Sequence, residues 1–571
     1  MGSPLDAFFE SYYRLRPVNA TFTGVHDFDG AYPDWSPDGV QRARAEMESL
    51  RRQLHPVPRL GSDEGHAGIG WAEVDADLAD DFLAIQLREL DGWHFQRGNP
   101  SLAVGEAVFG IISLMTRPFA PAADRMESAA ARLLALPRFL EGAQASLLER
   151  PVRAAWRQKA LTELGGARTL LVHGIERWIA REGSGTAARA VLDAAPIALA
   201  AVQAFADWLR SAPAATNDDY ACGADLFELL MTRGHRIATP VDDLRKTLRA
   251  LLVQEQARLD DRARSVHSDG WAGVRDELAL RHPTAEGYYA AFEATWRACR
   301  DVAVAHELLT WPDYPIRYVP IPEWTRDAAP SLYYLFYRSP APFDRVGVTD
   351  YVVTPLDALP DEASRTRHLR AWNDSVIKLN HVVHHGAIGH HVQNFHAFRS
   401  PSRIGQIAGV DCASRIGMFS GGTMTEGWAC YATDLMDEVG FLTPFESVAE
   451  QHSRVRMLAR AIVDIELHTG RIPLAEGVRF YEREAGMPAE AALSETVKNS
   501  MFPGTASMYW LGTQALHRLR AECASVSGES FSLRRFHDTV LCVGAIPVAV
   551  AHEIVLRRFA ARTDGNNHGS R

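Results

Sequence analysis

The sequence predicts a mainly α-helical protein with one small β element set into the helical body. Apolar residues recur three and four apart in Ala-, Leu- and Arg-rich segments from Glu73 to Leu230, over 241–308, and with breaks from Glu362 to Ala561. That spacing gathers them on one face of a helix. Between Leu309 and Leu356 the texture changes to WPDYPIRYVPIPEW, SLYYLFYRSPAP and VTDYVVTP. The prolines forbid a long helix there, and the β-branched and aromatic residues favour short strands. No repeat of fixed period is present, so a solenoid is not predicted.

Taken in order, residues 5–55 read as two helices around a turn-rich stretch, Asp27 to Pro37, and 57–69 as a loop rich in Pro, Gly and Ser. Helices are expected at Ala129 to Leu148 and Arg153 to Glu182. Residues 309–356 form a small sheet or irregular wall. In it Tyr333, Tyr334, Phe336, Tyr337 and Tyr351 are expected mostly as core, some of them facing a cleft. Residues 376–470 carry the helices of greatest chemical interest. The ending TDGNNHGSR, 563–571, is expected to be disordered, which leaves 1–562 as the folded body.

The composition excludes several classes. The chain has 571 residues, 47% hydrophobic and 23% charged, as in globular proteins. A net charge of -11 argues against nucleic acid as a partner. The N-terminus lacks a basic segment followed by an apolar run, and no stretch of about eighteen apolar residues occurs. No membrane span is therefore expected, and the cytoplasm is the expected compartment. The six cysteines are scattered with no Cys-x-x-Cys pair, which speaks against a thiolate metal site or a disulfide framework. They read as buried thiols in a reducing compartment.

The chemistry concentrates in HVVHHGAIGHHVQNFH, where six of the 22 histidines fall between His381 and His396. Neutral imidazole is the commonest metal ligand. His381 and His385, four apart, share a face of a straight helix, the spacing that lets two side chains meet one ion. His384 and His390, six apart, lie about 9 Å apart along a straight axis and point to different sides. They converge only if the helix bends, and Gly386 and Gly389 permit a bend. Spacing alone prefers the first pair. An acidic partner is offered by Glu426 in TMTEGWACYATDLMDE, just after Gly421-Gly422. Two histidines, a glutamate and one open position are the donor set of a catalytic zinc in hydrolases. A helix-terminal acid is the structural alternative for Glu426.

These residues resemble the bacterial domain-of-unknown-function family 885, which is grouped with gluzincin-type metallopeptidases. The family motif His-Glu-Ala-x-Pro-Gly-His-His-x-Gln matches the register His384-His385-Gly386-Ala387-Ile388-Gly389-His390-His391-Val392-Gln393. Glu-Gly-Trp-Ala-x-Tyr-Ala matches Glu426 to Ala432. Further likeness falls on Arg460, Asp464 and His468; on Pro503, Gly504, Tyr509, Gly512, Leu519 and Arg520; on Phe536, His537, Asp538, Leu541, Gly544 and Pro547; and on Pro17, Ala20-Thr21, Gly24, His26, Asp29 and Asp34.

The resemblance implies a single large helical domain with a deep central cleft, of gluzincin or helical carboxypeptidase type. It implies His384, His390 and Glu426 as ligands of one divalent transition metal, zinc first, with iron, manganese or copper as alternatives. His391 stays an alternative to His390. Tyr509 and His468 become candidates for stabilising an oxyanion, and Arg460 and Arg520 for holding a substrate carboxylate. Asp464 becomes a partner of Arg460 or an orienter of a ligand histidine.

The chain departs from the family at the chemistry itself. The motif glutamate, the general base of a gluzincin, is His385; the alanine is Gly386 and the proline Ile388. A histidine can serve as a base, or can turn inward as another ligand. Three readings follow: a hydrolase of amide or peptide bonds in a small molecule or short peptide with His385 as base; a metalloenzyme doing elimination, cyclisation, rearrangement or redox chemistry on a small metabolite; and an inactive binding protein.

Overall fold

The structure is a computed structural model that describes residues 3–54, 70–148, 150–215, 217–332, 340–344, 346–410 and 414–567, with side chains through 560. The chain is mainly helical, as expected. The expected loop at 57–69 and the aromatic residues Tyr333, Tyr334, Phe336 and Tyr337 lie outside the described residues.

At the N-terminus three helices replace the expected two: Pro4–Leu15, Pro17–Thr23 and Pro37–Leu54. The break comes at Arg16, which leaves helical geometry so that Pro17 can open the next helix. Proline suits that first position because it has no N–H to leave unpaired. Helices Ala122–Leu147 and Thr186–Ser211 pack side by side. With Pro100–Thr116 and Ala154–Thr169 they enclose one apolar cluster, which includes Ile112, Leu133 and Trp178. Thr186–Ser211 is long and apolar enough to cross a bilayer by length and composition, yet here Val191, Ala198 and Leu209 are buried in that cluster.

A second cluster joins Val241–Val266 to Pro444–His468 and Leu474–Ala485 through residues such as Leu248, Leu458 and Phe480. The largest runs from the N-terminal helices through Tyr288–Ala305 to Gly422–Glu438 and the C-terminal helices, with Phe82, Phe292, Trp428 and Phe536 in it. The β element is a two-stranded parallel sheet, β1 (Ile316–Pro320) against β2 (Thr349–Val353), in register Ile316 with Thr349. Tyr351 of β2 is fully buried, so it is core.

Two expectations need correction. The last helix runs from Val548 to Asn567, five residues into the expected disordered tail. Extending an established helix adds a hydrogen bond per residue without a new nucleus. Among the described cysteines, Cys299, Cys430 and Cys523 are buried, but Cys222 is partly exposed and Cys542 exposed; none is disulfide-bonded.

Candidate metal centre

The histidine segment bends where its glycines allow. Ile377–Gly386 is wound as a π-helix, and after non-helical backbone at Ala387 and Gly389 a separate α-helix begins, His390–Ala397. Such wide turns are rare and recur at functional sites. The link is tight: the Gly389 N–H donates to the Val383 carbonyl at 2.9 Å. A Cβ on Gly389 would lie 1.9 Å from the His384 carbonyl oxygen, so glycine is required. Two indoles hold the freed carbonyls of the bend. Trp296 donates to Gly386 O and Trp428 to Ile388 O, each at 2.9 Å. A bend that removes helical hydrogen bonds needs such replacements, because buried carbonyls are costly when unpaired.

Glu426 is brought in by a close helix crossing. Gly422–Glu438 crosses Met508–Ser527 at Gly427 and Gly512. A Cβ on Gly427 would sit 2.6 Å from the Gly512 backbone, and one on Gly512 2.0 Å from the Thr423 carbonyl oxygen. The same crossing carries Trp428 to the histidine bend, so one helix supplies both the carboxylate and the tether.

The bend places His384 and His390 together. Glu426 Oε2 lies 3.4 Å from His384 Nε2 and 3.5 Å from His390 Nε2. Four donors about 2.05 Å from a tetrahedral ion are separated by about 3.3 Å along each edge, so these spacings suit two ligand pairs of one ion. Glu426 Oε2 is buried with no hydrogen-bond partner, a costly state for a carboxylate that a cation would relieve. His385 joins the group: one ring nitrogen from each of His384, His385 and His390 lies within 4.8 Å of the others. His385 Nδ1 is 2.7 Å from the Asn380 carbonyl. As the donor there, it leaves the Nε2 lone pair for the cluster. Cys430 Sγ stands 3.9 Å from His384 Nδ1.

Burial pushes the pKa of His384 down, and that of His385 far down with further repulsion from His384 and His390. Burial would favour a neutral Glu426, but His390 and His384 prevail and hold its carboxyl well below the usual range. A neutral imidazole and an ionised carboxylate are the protonation states that a cation requires of such ligands.

The other histidine frame is not formed. His381 is buried, hydrogen-bonded through Nδ1 to Tyr351 Oη at 2.6 Å, and stacked on Trp372. Burial lowers its pKa to about 3. Spacing favoured it only on a straight α-helix, which this segment is not. His391 also turns away, stacking on Tyr314 with Nε2 2.7 Å from the Tyr314 carbonyl.

The cluster opens into a cavity of about 1310 Å³, lined among others by Phe22, Tyr32, Glu106, Arg460 and Tyr509. The Arg460 guanidinium lies over the Tyr509 ring at 5.1 Å and pairs with Glu495 at 2.8 Å. Its partner is therefore not Asp464. Asp464 accepts instead from Gly504 N, Ser507 N and Ser507 Oγ at 2.7–3.0 Å, fixing the turn that leads into the Tyr509 helix. Burial raises its carboxyl to about 7.

Two expected residues are not at the cavity. His468 is buried beneath the wall, Nε2 against the Asn499 carbonyl at 2.9 Å. Arg520 pairs with Glu438 at 2.8 Å and reaches Tyr431 Oη, and does not line the cavity. Both lie on cavity-bordering helices but on other faces, which motif order does not reveal. Sequence reading missed Arg456, one turn before Arg460, and Lys498, both lining the cavity. The four-residue spacing from Arg460 was the available signal for Arg456. It also missed the positioning indoles of Trp296 and Trp428.

Comparison with known proteins agrees with this arrangement at the level of fold. No curated protein matches the chain. A solved structure from Shewanella oneidensis, provisionally named a lipoprotein of unknown function, superposes with a TM-score of 0.74 at 20% identity, covering 97% of this chain and 99% of that one. Another, from Colwellia psychrerythraea and provisionally named a lipoprotein, gives 0.77 at 16% identity, covering 98% and 99%. The sequence profile of the family described as bacterial protein of unknown function, DUF885, matches residues 17–555, which include the histidine bend, Glu426 and the cavity wall, and the chain belongs to that family.

Proposed function

We propose that this protein is a metal-dependent hydrolase of amide or peptide bonds in a small or peptide-like substrate, with a gluzincin-like donor set of His384, His390 and Glu426. The observation that carries this reading is the buried Glu426 oxygen, without a hydrogen bond, 3.4 and 3.5 Å from two imidazole nitrogens at the edge of a large cavity. Zinc is the first candidate, because two histidines and a glutamate are its catalytic donors. When bound, such a cation supplies Lewis acidity to a carbonyl oxygen and to water.

His385 takes the place of the usual glutamate base. Its Nδ1–H to Asn380 fixes the tautomer and aims the Nε2 lone pair at the cluster, as a base needs. The Asn380 carbonyl would also stabilise the ring once protonated. Tyr509 stands in the same cavity as a donor to developing negative charge.

A second reading is favoured by the convergence of three imidazoles. If His385 is itself a ligand, the donor set becomes three histidines and a glutamate, and a non-hydrolytic reaction on a small metabolite fits better.

The test is elemental analysis of protein prepared without chelators, followed by zinc-loaded digestion of a random peptide pool. The proposal expects about one equivalent of metal per chain and release of new peptide ends. His385→Ala should abolish cleavage with metal content unchanged, and His385→Glu should retain or raise it. Loss of metal in His385→Ala would favour the second reading, and absence of metal from the native protein would overturn both.

A further inference from the structure

One wall of the cavity gathers three cationic side chains. Arg456 and Arg460 lie one turn apart on Pro444–His468, and Lys498 faces them from Ala489–Met501. The carboxylate among them is Glu495, 2.8 Å from Arg460. All three cations act on Glu495 and hold its carboxyl down at about 2 despite burial. Among the described residues, Glu495 is the carboxylate that these three cations have in common.

Glu450, on the same helix, lies 3.7 Å from Arg454, and burial and the adjacent Asp434 raise its pKa far above the ordinary range. Arg456 Nε is buried with no hydrogen-bond partner, and burial together with repulsion from Arg460 lowers the Arg456 pKa to about 10. Like charges one helical turn apart destabilise each other, and a buried guanidinium N–H that makes no hydrogen bond adds to that cost. An anion among these cations would offset both costs.

We infer that Arg456, Arg460 and Lys498 bind the free terminal carboxylate of a peptide-like chain whose remaining length lies along the cavity beside the histidine cluster. The inference takes the cavity to be a substrate site, as the proposed function does. Guanidinium groups present a planar fork that matches a carboxylate. Arg460 lines the same cavity as His384, His390 and Glu426, which puts the anchored end in the cavity of the candidate reaction centre. At about 1310 Å³ the cavity exceeds the roughly 300–1,000 Å³ usual for small-molecule pockets, so it accommodates several residues.

The experiment uses full-length protein stripped of metal with EDTA, so binding is read without turnover. An equimolar pool of N-acetylated random tetrapeptides, half as free acids and half as C-terminal amides, is equilibrated with it, and retained peptides are identified by mass spectrometry. Free acids should be retained about tenfold over the amides, a difference of roughly 1.4 kcal/mol. R456Q and K498Q should each bring that ratio to within about twofold. R456Q should also melt no lower than the parent, because it removes a charge that Arg460 repels; this separates lost recognition from lost folding. Equal retention of acids and amides, retention of neither, or an acid preference untouched by both variants would overturn the inference. An acid preference that persists while the metal-loaded protein cleaves nothing would instead remove the hydrolase reading alone.

Discussion

At Glu426 two effects compete: burial favours the neutral acid, and the His384 and His390 imidazoles favour the carboxylate, which wins. A Glu426→Gln variant keeps the shape and removes the charge. It should weaken metal binding by at least about tenfold in a competitive chelator titration, with helix content by circular dichroism unchanged. Unchanged affinity would show that Glu426 is not a ligand. This residue and the two histidines were legible because their motif order is distinctive. His468 was misplaced because a core histidine satisfied by a carbonyl and a histidine in a cavity are the same letter. Arg456 was passed over for a similar reason, since arginines one turn apart are common on solvated helices and only burial makes the pair unusual.

At the scale of elements, backbone proximity sets the geometry. Gly512→Ala would force a Cβ to 2.0 Å from the Thr423 carbonyl oxygen and push the two helices apart. A loss of about 2 kcal/mol or more in urea unfolding is expected, with weakened metal binding because Glu426 moves. Gly389→Ala is expected to act more locally, lowering metal affinity more than stability, as its added Cβ meets the His384 carbonyl oxygen. Helical periodicity announced the helices here, and the glycines announced that a bend was permitted. The wide winding of Ile377–Gly386 was not announced, because it depends on tryptophans distant in sequence that catch the carbonyls it releases.

At the scale of the molecule, one long-range clasp gives a pH signature. His26 sits between Asp29 at 2.8 Å and Asp344 at 2.9 Å, stacked on Phe119. Burial disfavours its charge, but the two carboxylates outweigh burial and raise its pKa to about 9. A raised pKa means stability that is complete below about 6.5, the ordinary histidine value, and that fades as pH climbs through about 9. Unfolding free energy should therefore drop by about 2 kcal/mol between pH 6.5 and 9.5, less than the full shift implies because the ring is partly open to solvent. In His26→Gln that slope should flatten. His26 and Asp29 could be singled out in the sequence, whereas Asp344, some three hundred residues on, could not.

The paired indole tethers have a consequence for how the centre would load. Because Trp296 and Trp428 grip the Gly386 and Ile388 carbonyls from separate helices, the receptor is assembled before any guest arrives. Stripping the ion should then leave the scaffold standing, with far-ultraviolet dichroism superimposable before and after chelation. Reloading would be rapid and reversible, unlike a zinc finger, whose fold disappears with its metal.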